Sequence, residues 1–199
     1  MVTIESRLAA RQRGASLIEV LVAVVLILLG LLGLGGMHAR LQTSEVESYQ
    51  RSQALLLVGD MGHRLALNRP FAAQYAGQAT VAAPLGAGMT CPADNTTLVN
   101  RDLAAWCAAL QGASETQQGG TQRVGAMIGG RGCIEELEPS VEYRVTVVWQ
   151  GLTPLSAPPS SIACGVNQYD AADGSGCVED RCRRYVTTIV RIANLGAAS

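Results

Sequence analysis

Apolar residues crowd toward one end of the chain. After a polar opening, Leu17 to Met37 carries a single charge, Glu19, and is otherwise apolar apart from its glycines, with Ser16 at its edge. At 1.5 Å per residue a helix of that length measures roughly 31 Å, enough to cross a hydrocarbon core of about 30 Å. The pattern then changes. From Arg40 to Arg69 there is no proline and the charges are mixed, while Ala54, Leu55, Val58, Met61 and Leu65 recur at helical spacing and give one apolar face to pack on a globular head. Pro70, after Asn68 and Arg69, marks a helix stop. One helix is therefore expected from Leu17 to Arg69, roughly 80 Å long.

Beyond the helix, residues 71–132 are rich in Ala, Gly, Gln and Thr and offer few periodic signals, although Asp102 to Leu110 reads as a short helix carrying Trp106 and Cys107. Val141 to Gln150 alternates, with Val141, Tyr143, Val145, Val147 and Trp149 on one face and Glu142, Arg144, Thr146 and Gln150 on the other, which predicts a half-buried strand. Arg184 to Ile192 reads as its antiparallel neighbour, with Val186, Val190 and Ile192 on one face and Tyr185 and Ile189 on the opposite one. The fold class is α+β, a long N-terminal helix on an antiparallel sheet. Residues 151–182 between the strands contain Pro154, Pro158, Pro159 and three cysteines, too long a stretch for an unsupported loop, so staples are expected there.

Charge narrows the function classes. The formal net charge is -1, all fifteen basic residues are arginine, and no basic run beyond Arg183-Arg184 points to nucleic acid. Locally the picture differs: Arg7, Arg11 and Arg13 stand against Glu5 in residues 1–14, so the N-terminus is expected on the cytoplasmic side and everything after Met37 outside. A cleaved secretory signal places small residues after its apolar core; here Gly14 and Ala15 precede it. Cutting between them removes the basic leader, keeps the helix on the mature protein and creates an amine at Ala15, four residues before Glu19. A carboxylate inside a spanning helix costs roughly 2.5 to 3.5 kcal/mol on insertion scales and is a functional candidate by default. Amine and carboxylate attract, more strongly as the dielectric falls. Paired between neighbouring subunits, they set an axial stagger of about 6 Å.

The run Arg13-Gly14-Ala15-Ser16-Leu17-Ile18-Glu19-Val20-Leu21-Val22-Ala23 resembles the class III signal of type IV prepilins and type II secretion pseudopilins. The resemblance implies a prepilin peptidase that cuts after Gly14 and N-methylates Ala15, and it assigns Glu19 to assembly. Ala15 departs from the phenylalanine usual in major pilins. The implied organisation is a leader over 1–14, a helix over 15–69 that spans the membrane at 17–37, and a periplasmic head over 70–199. Gly30, Gly33, Gly35 and Gly36 each cost up to about 1 kcal/mol relative to alanine in a helix. They suit close helix packing in lipid, or a stretch that unwinds in the filament as in major pilins, where this region often carries proline.

Weaker matches, Arg51-Ser52-Gln53-Ala54 ahead of Asp60-Met61, Val147-Val148-Trp149-Gln150-Gly151, and Cys182-Arg183-Arg184, are similar to minor pilins of the PilV type. That likeness implies other minor pilins and the major pilin as partners, the inner membrane as the site before assembly, the extracellular pilus after it, and roles in priming assembly, twitching motility and attachment. The Glu19 to Ala23 run also resembles a minor pseudopilin of type II secretion. A single-pass anchored periplasmic protein, with its leader retained, is the reading outside the superfamily.

Cys91, Cys107, Cys133, Cys164, Cys177 and Cys182 all follow the apolar segment and suit up to three disulfides in an oxidising compartment. Cys91 with Cys107 and Cys177 with Cys182 are local pairs, leaving Cys133 for Cys164, one of fifteen connectivities. Zinc is the competing use, but no Cys-x-x-Cys occurs. Asp170, Asp173, Glu179 and Asp180 around Gly174 resemble a calcium loop without EF-hand spacing. His38 and His63 lie far apart on the helix as surface or packing residues, and no nucleophile–base motif is present. No metal, cofactor or catalytic activity is expected.

Overall fold

The structure is a computed structural model that describes residues 16–113, 127–172 and 174–192. By contacts the chain divides into two compact units, residues 1–44 and 45–199. Helix α1, Leu17–Leu67, contributes to both. It stops two residues short of Arg69, because Pro70 turns the chain into a 3-10 turn at Arg69–Phe71 and then a second helix, α2, Ala72–Gln78.

In the first unit α1 passes without interruption through Gly30, Gly33, Gly35 and Gly36, where a Cβ would meet nothing within 4 Å. The apolar side chains from Leu17 to Met37 are exposed, and the most apolar window has a mean hydropathy of 3.0 with none of it buried. Exposed apolar surface on this scale marks an interaction with membrane or protein.

The second unit is built on a four-stranded antiparallel sheet in the order β1 (Leu85–Gly86), β2 (Arg131–Glu138), β3 (Glu142–Gln150) and β4 (Arg183–Arg191). Val145 lies opposite Ile134 and Thr188, and Val147 opposite Gly132 and Val186. Pro139 cannot continue β2. The turn passes through Ser140 at φ 59°, whose N–H donates to Glu136 Oε1 at 2.7 Å.

One sheet face packs against the C-terminal half of α1 and against α3, Leu98–Leu110, with Met61, Leu65, Leu103, Trp106, Val145 and Val147 at the centre. The indole Nε1–H of Trp106 donates to the Leu57 carbonyl at 3.0 Å, joining α3 to α1. Gly132 makes room for the ring: a Cβ there would overlap Trp106. Leu55 is not on the buried stripe of α1, being 52% exposed; the stripe runs Gln50, Ala54, Val58, Met61, Gly62 and Leu65. Leu55 follows Ala54 by one residue, a rotation of about 100° around the helix, and so leaves the interface.

A second, smaller core covers the other face, where Val148 meets Tyr169, Cys133 and Cys164. The loop after β3 therefore crosses back over the sheet. It buries Val148, and Thr146, assigned above to the solvent side, is also fully buried. The loop is held by the Cys133–Cys164 disulfide and by the Tyr169 hydroxyl, which donates to the carbonyls of Gly129 at 2.7 Å and Val148 at 3.3 Å. Two further disulfides, Cys91–Cys107 and Cys177–Cys182, secure the segment before α3 and the approach to β4.

At the far end of α1, Asp102 accepts from Arg64 at 2.7 Å and from the Tyr75 hydroxyl at 2.5 Å, and Asn68 donates to that hydroxyl at 3.0 Å. Three helices are tied through one buried carboxylate. Burial, with Asp102 adding to it, pushes the Tyr75 hydroxyl up to about 12.

Candidate functional site at the helix start

The chemistry implied by the sequence concentrates at residues 14–19. Gly14 and Ala15, the cleavage and methylation positions, and the leader lie outside the described residues. The described chain begins at Ser16, which stands immediately before α1 in the N-cap position. Its Oγ accepts from the Glu19 N–H at 3.3 Å, and its carbonyl accepts from Glu19 N at 3.0 Å and Val20 N at 3.3 Å.

The first turn has several unpaired N–H groups, and a side-chain oxygen that takes one of them is worth about 1 kcal/mol. Ser16-Leu17-Ile18-Glu19 has the capping-box spacing, serine followed three residues later by glutamate. The Ser16 arm of that box is made. The spacing is legible in the sequence, although Ser16 there reads only as the edge of the apolar run.

Glu19 sits in the first turn, where the positive end of the helix dipole favours a negative charge by some 0.3 to 1 kcal/mol. Its carboxylate makes no hydrogen bond or ion pair among the described residues. An acid held at a fixed place on an otherwise apolar stretch of helix, with no partner among the described residues, is suited to receive a donor from outside.

The other sequence-marked groups serve the fold. All six cysteines are in disulfides, which leaves no thiolate. Asp180 accepts from Asn167 N at 2.9 Å and pairs with Arg183 at 3.2 Å, while Asp170 accepts from Asp180 N at 2.8 Å. Their oxygens are occupied in shaping the loop; Asp173 lies outside the described residues. Among the described residues no group of three or more His, Cys, Asp or Glu side chains is placed to hold a metal ion. His38 and His63 are exposed on α1.

Residues 9–35 match the prokaryotic N-terminal methylation motif, the type IV prepilin signal. No curated protein and no solved structure matches the chain. The motif supports a pilin or pseudopilin, and with the apolar helix it fits membrane anchoring, processing by prepilin peptidase and assembly with other pilins.

Proposed function

We propose that the chain is a minor pilin of a type IV pilus, most similar to the PilV type. A prepilin peptidase cuts between Gly14 and Ala15 and methylates the Ala15 amine. The mature subunit waits in the inner membrane with the head in the periplasm. It enters the filament when Glu19 pairs with the Ala15 amine of a neighbouring subunit. A head-to-tail contact of this kind does not close on itself and generates an open helical filament. The protein acts by assembly, priming the pilus and so supporting twitching motility and surface attachment, rather than by catalysis.

The observation that carries this reading is the coincidence of the methylation motif with an exposed apolar stretch of α1, residues 17–37, whose single charge is Glu19. The head adds support: a large, disulfide-stapled antiparallel sheet suits an oxidising compartment and an exposed filament position.

A minor pseudopilin of type II secretion shares the motif and is the second reading. Deletion of the gene separates the two. Loss of surface pili and twitching with secretion intact, and recovery of the protein in sheared pilus fractions, supports the minor pilin. Normal piliation with loss of protein secretion moves the assignment to the pseudopilin.

A further inference from the structure

A pocket of about 250 Å³ in the second unit is lined by Arg51 from α1, by Arg183, Arg184 and Tyr185 from β4, and by the Leu155 to Pro159 segment. Three guanidinium groups around one pocket are costly unless balanced. Arg183, whose side chain is 2% exposed, pairs with Asp180 and donates to the carbonyls of Ile162 at 2.8 Å and Cys164 at 2.9 Å. Its Nε is buried with no acceptor among the described residues. Arg184 is turned toward the Thr153 carbonyl and lies 3.5 Å from Glu47. Arg51 is exposed and has no ion-pair partner among the described residues. The pocket thus keeps an uncompensated positive charge, with a buried guanidinium short of one acceptor beside it.

The remaining lining fixes what kind of anion suits it. Leu155, Pro158 and Pro159 are apolar, Tyr185 is half-buried, and the Ser156 and Ala157 backbone makes no hydrogen bond among the described residues. Arginine and tyrosine beside apolar groups are typical of protein interfaces. A flat guanidinium fork fits a carboxylate in two parallel hydrogen bonds, and an aliphatic wall fits the methylenes behind it. Bare phosphate has no apolar part to use that wall.

We propose that this pocket receives an acidic side chain from an extended segment of a protein partner, its carboxylate against Arg51 and its stem against Leu155, Pro158 and Pro159. The assignment is independent of whether the chain belongs to a pilus or a secretion system.

The test uses the full chain in detergent micelles with arginine side-chain Nε–H signals followed by NMR, assigned through Arg51→Gln. Glutarate and the peptide acetyl-Ala-Glu-Ala-amide should shift the Arg51 signal saturably, with neutral glutaramide leaving it unmoved. Arg51→Gln should weaken glutarate binding, read on the Arg184 signal, by about tenfold or more, the scale of one charge-assisted hydrogen bond. Arg101→Gln, an exposed arginine on α3, should bind as the parent does. Equal response to glutaramide, unchanged binding in Arg51→Gln, no saturable shift with either carboxylate probe, or tighter binding of inorganic phosphate than of the peptide would each overturn the proposal.

Discussion

Removing the disulfides one pair at a time should destabilise the head in a definite order. The three close loops of different length: Cys133 and Cys164 are separated by 31 residues, Cys91 and Cys107 by 16, and Cys177 and Cys182 by 5. If a crosslink acts by restricting the unfolded chain, the loss at 25 °C is about 3.7 kcal/mol for the first, about 3.1 for the second and about 2.1 for the third. Burial acts in the same direction. Cys133 and Cys164 are both fully buried, Cys107 is buried opposite a half-exposed Cys91, and Cys182 is buried opposite a half-exposed Cys177. Paired Cys→Ala variants of the membrane-extracted protein can be unfolded in urea and followed by tryptophan fluorescence. Trp106 and Trp149 are the protein's two tryptophans, both buried in the second unit, so the signal reports that unit. A smaller loss for the Cys133–Cys164 variant than for Cys177–Cys182 would refute the reasoning, since loop length and burial both predict the opposite.

Four further substitutions have definite expected outcomes. Gly132→Ala drives a Cβ into the Trp106 ring and should cost about 1 to 3 kcal/mol in the same urea assay, whereas Gly62→Ala, whose Cβ would lie 3.5 Å from Thr188 and Val190 methyls, should be neutral or stabilising by up to about 1 kcal/mol. Burial pushes the Tyr169 hydroxyl up to about 12 from 10.0, so the unfolded chain gives up this proton first. The contribution of that hydroxyl is complete below pH 10 and is lost as pH rises from 10 toward 12, a slope that Tyr169→Phe should flatten. Glu19→Leu should still insert in the membrane, more favourably by up to about 3 kcal/mol, the cost of an acid at the centre of a span, yet fail to enter filaments. Unchanged incorporation, measured on sheared filaments, would remove the assembly role from this carboxylate.

What could be read from the sequence depended on how strongly each segment was patterned by one environment. The apolar run is apolar on every side, and β3 carries an apolar residue at every second position from Val141 to Trp149, so both are visible in the sequence. β2 was missed because Arg131-Gly132-Cys133-Ile134-Glu135-Glu136 does not alternate: Gly132 and Ile134 face the main core, Cys133 faces the loop core, and the acids take over beyond. The second core was hidden for a related reason. Thr146 and Val148 lie under a loop whose path is set by the Cys133–Cys164 link and by Tyr169, contacts far apart in sequence that no local pattern encodes. α2 has only seven residues, two turns too short for a periodic signal. At the helix start, the carboxylate was identified from its cost in lipid, while Ser16 was passed over although its spacing to Glu19 carries the capping signal.

The central claim is that the chain is cut between Gly14 and Ala15 and joins a filament through its new N-terminus. Intact mass and N-terminal sequencing of the membrane-extracted protein, from cells with and without prepilin peptidase, test it most directly. The account predicts a peptidase-dependent start at N-methylated Ala15; an intact Met1 with the peptidase present, or a cut beyond Met37, would contradict it and leave Glu19 without the partner assigned to it.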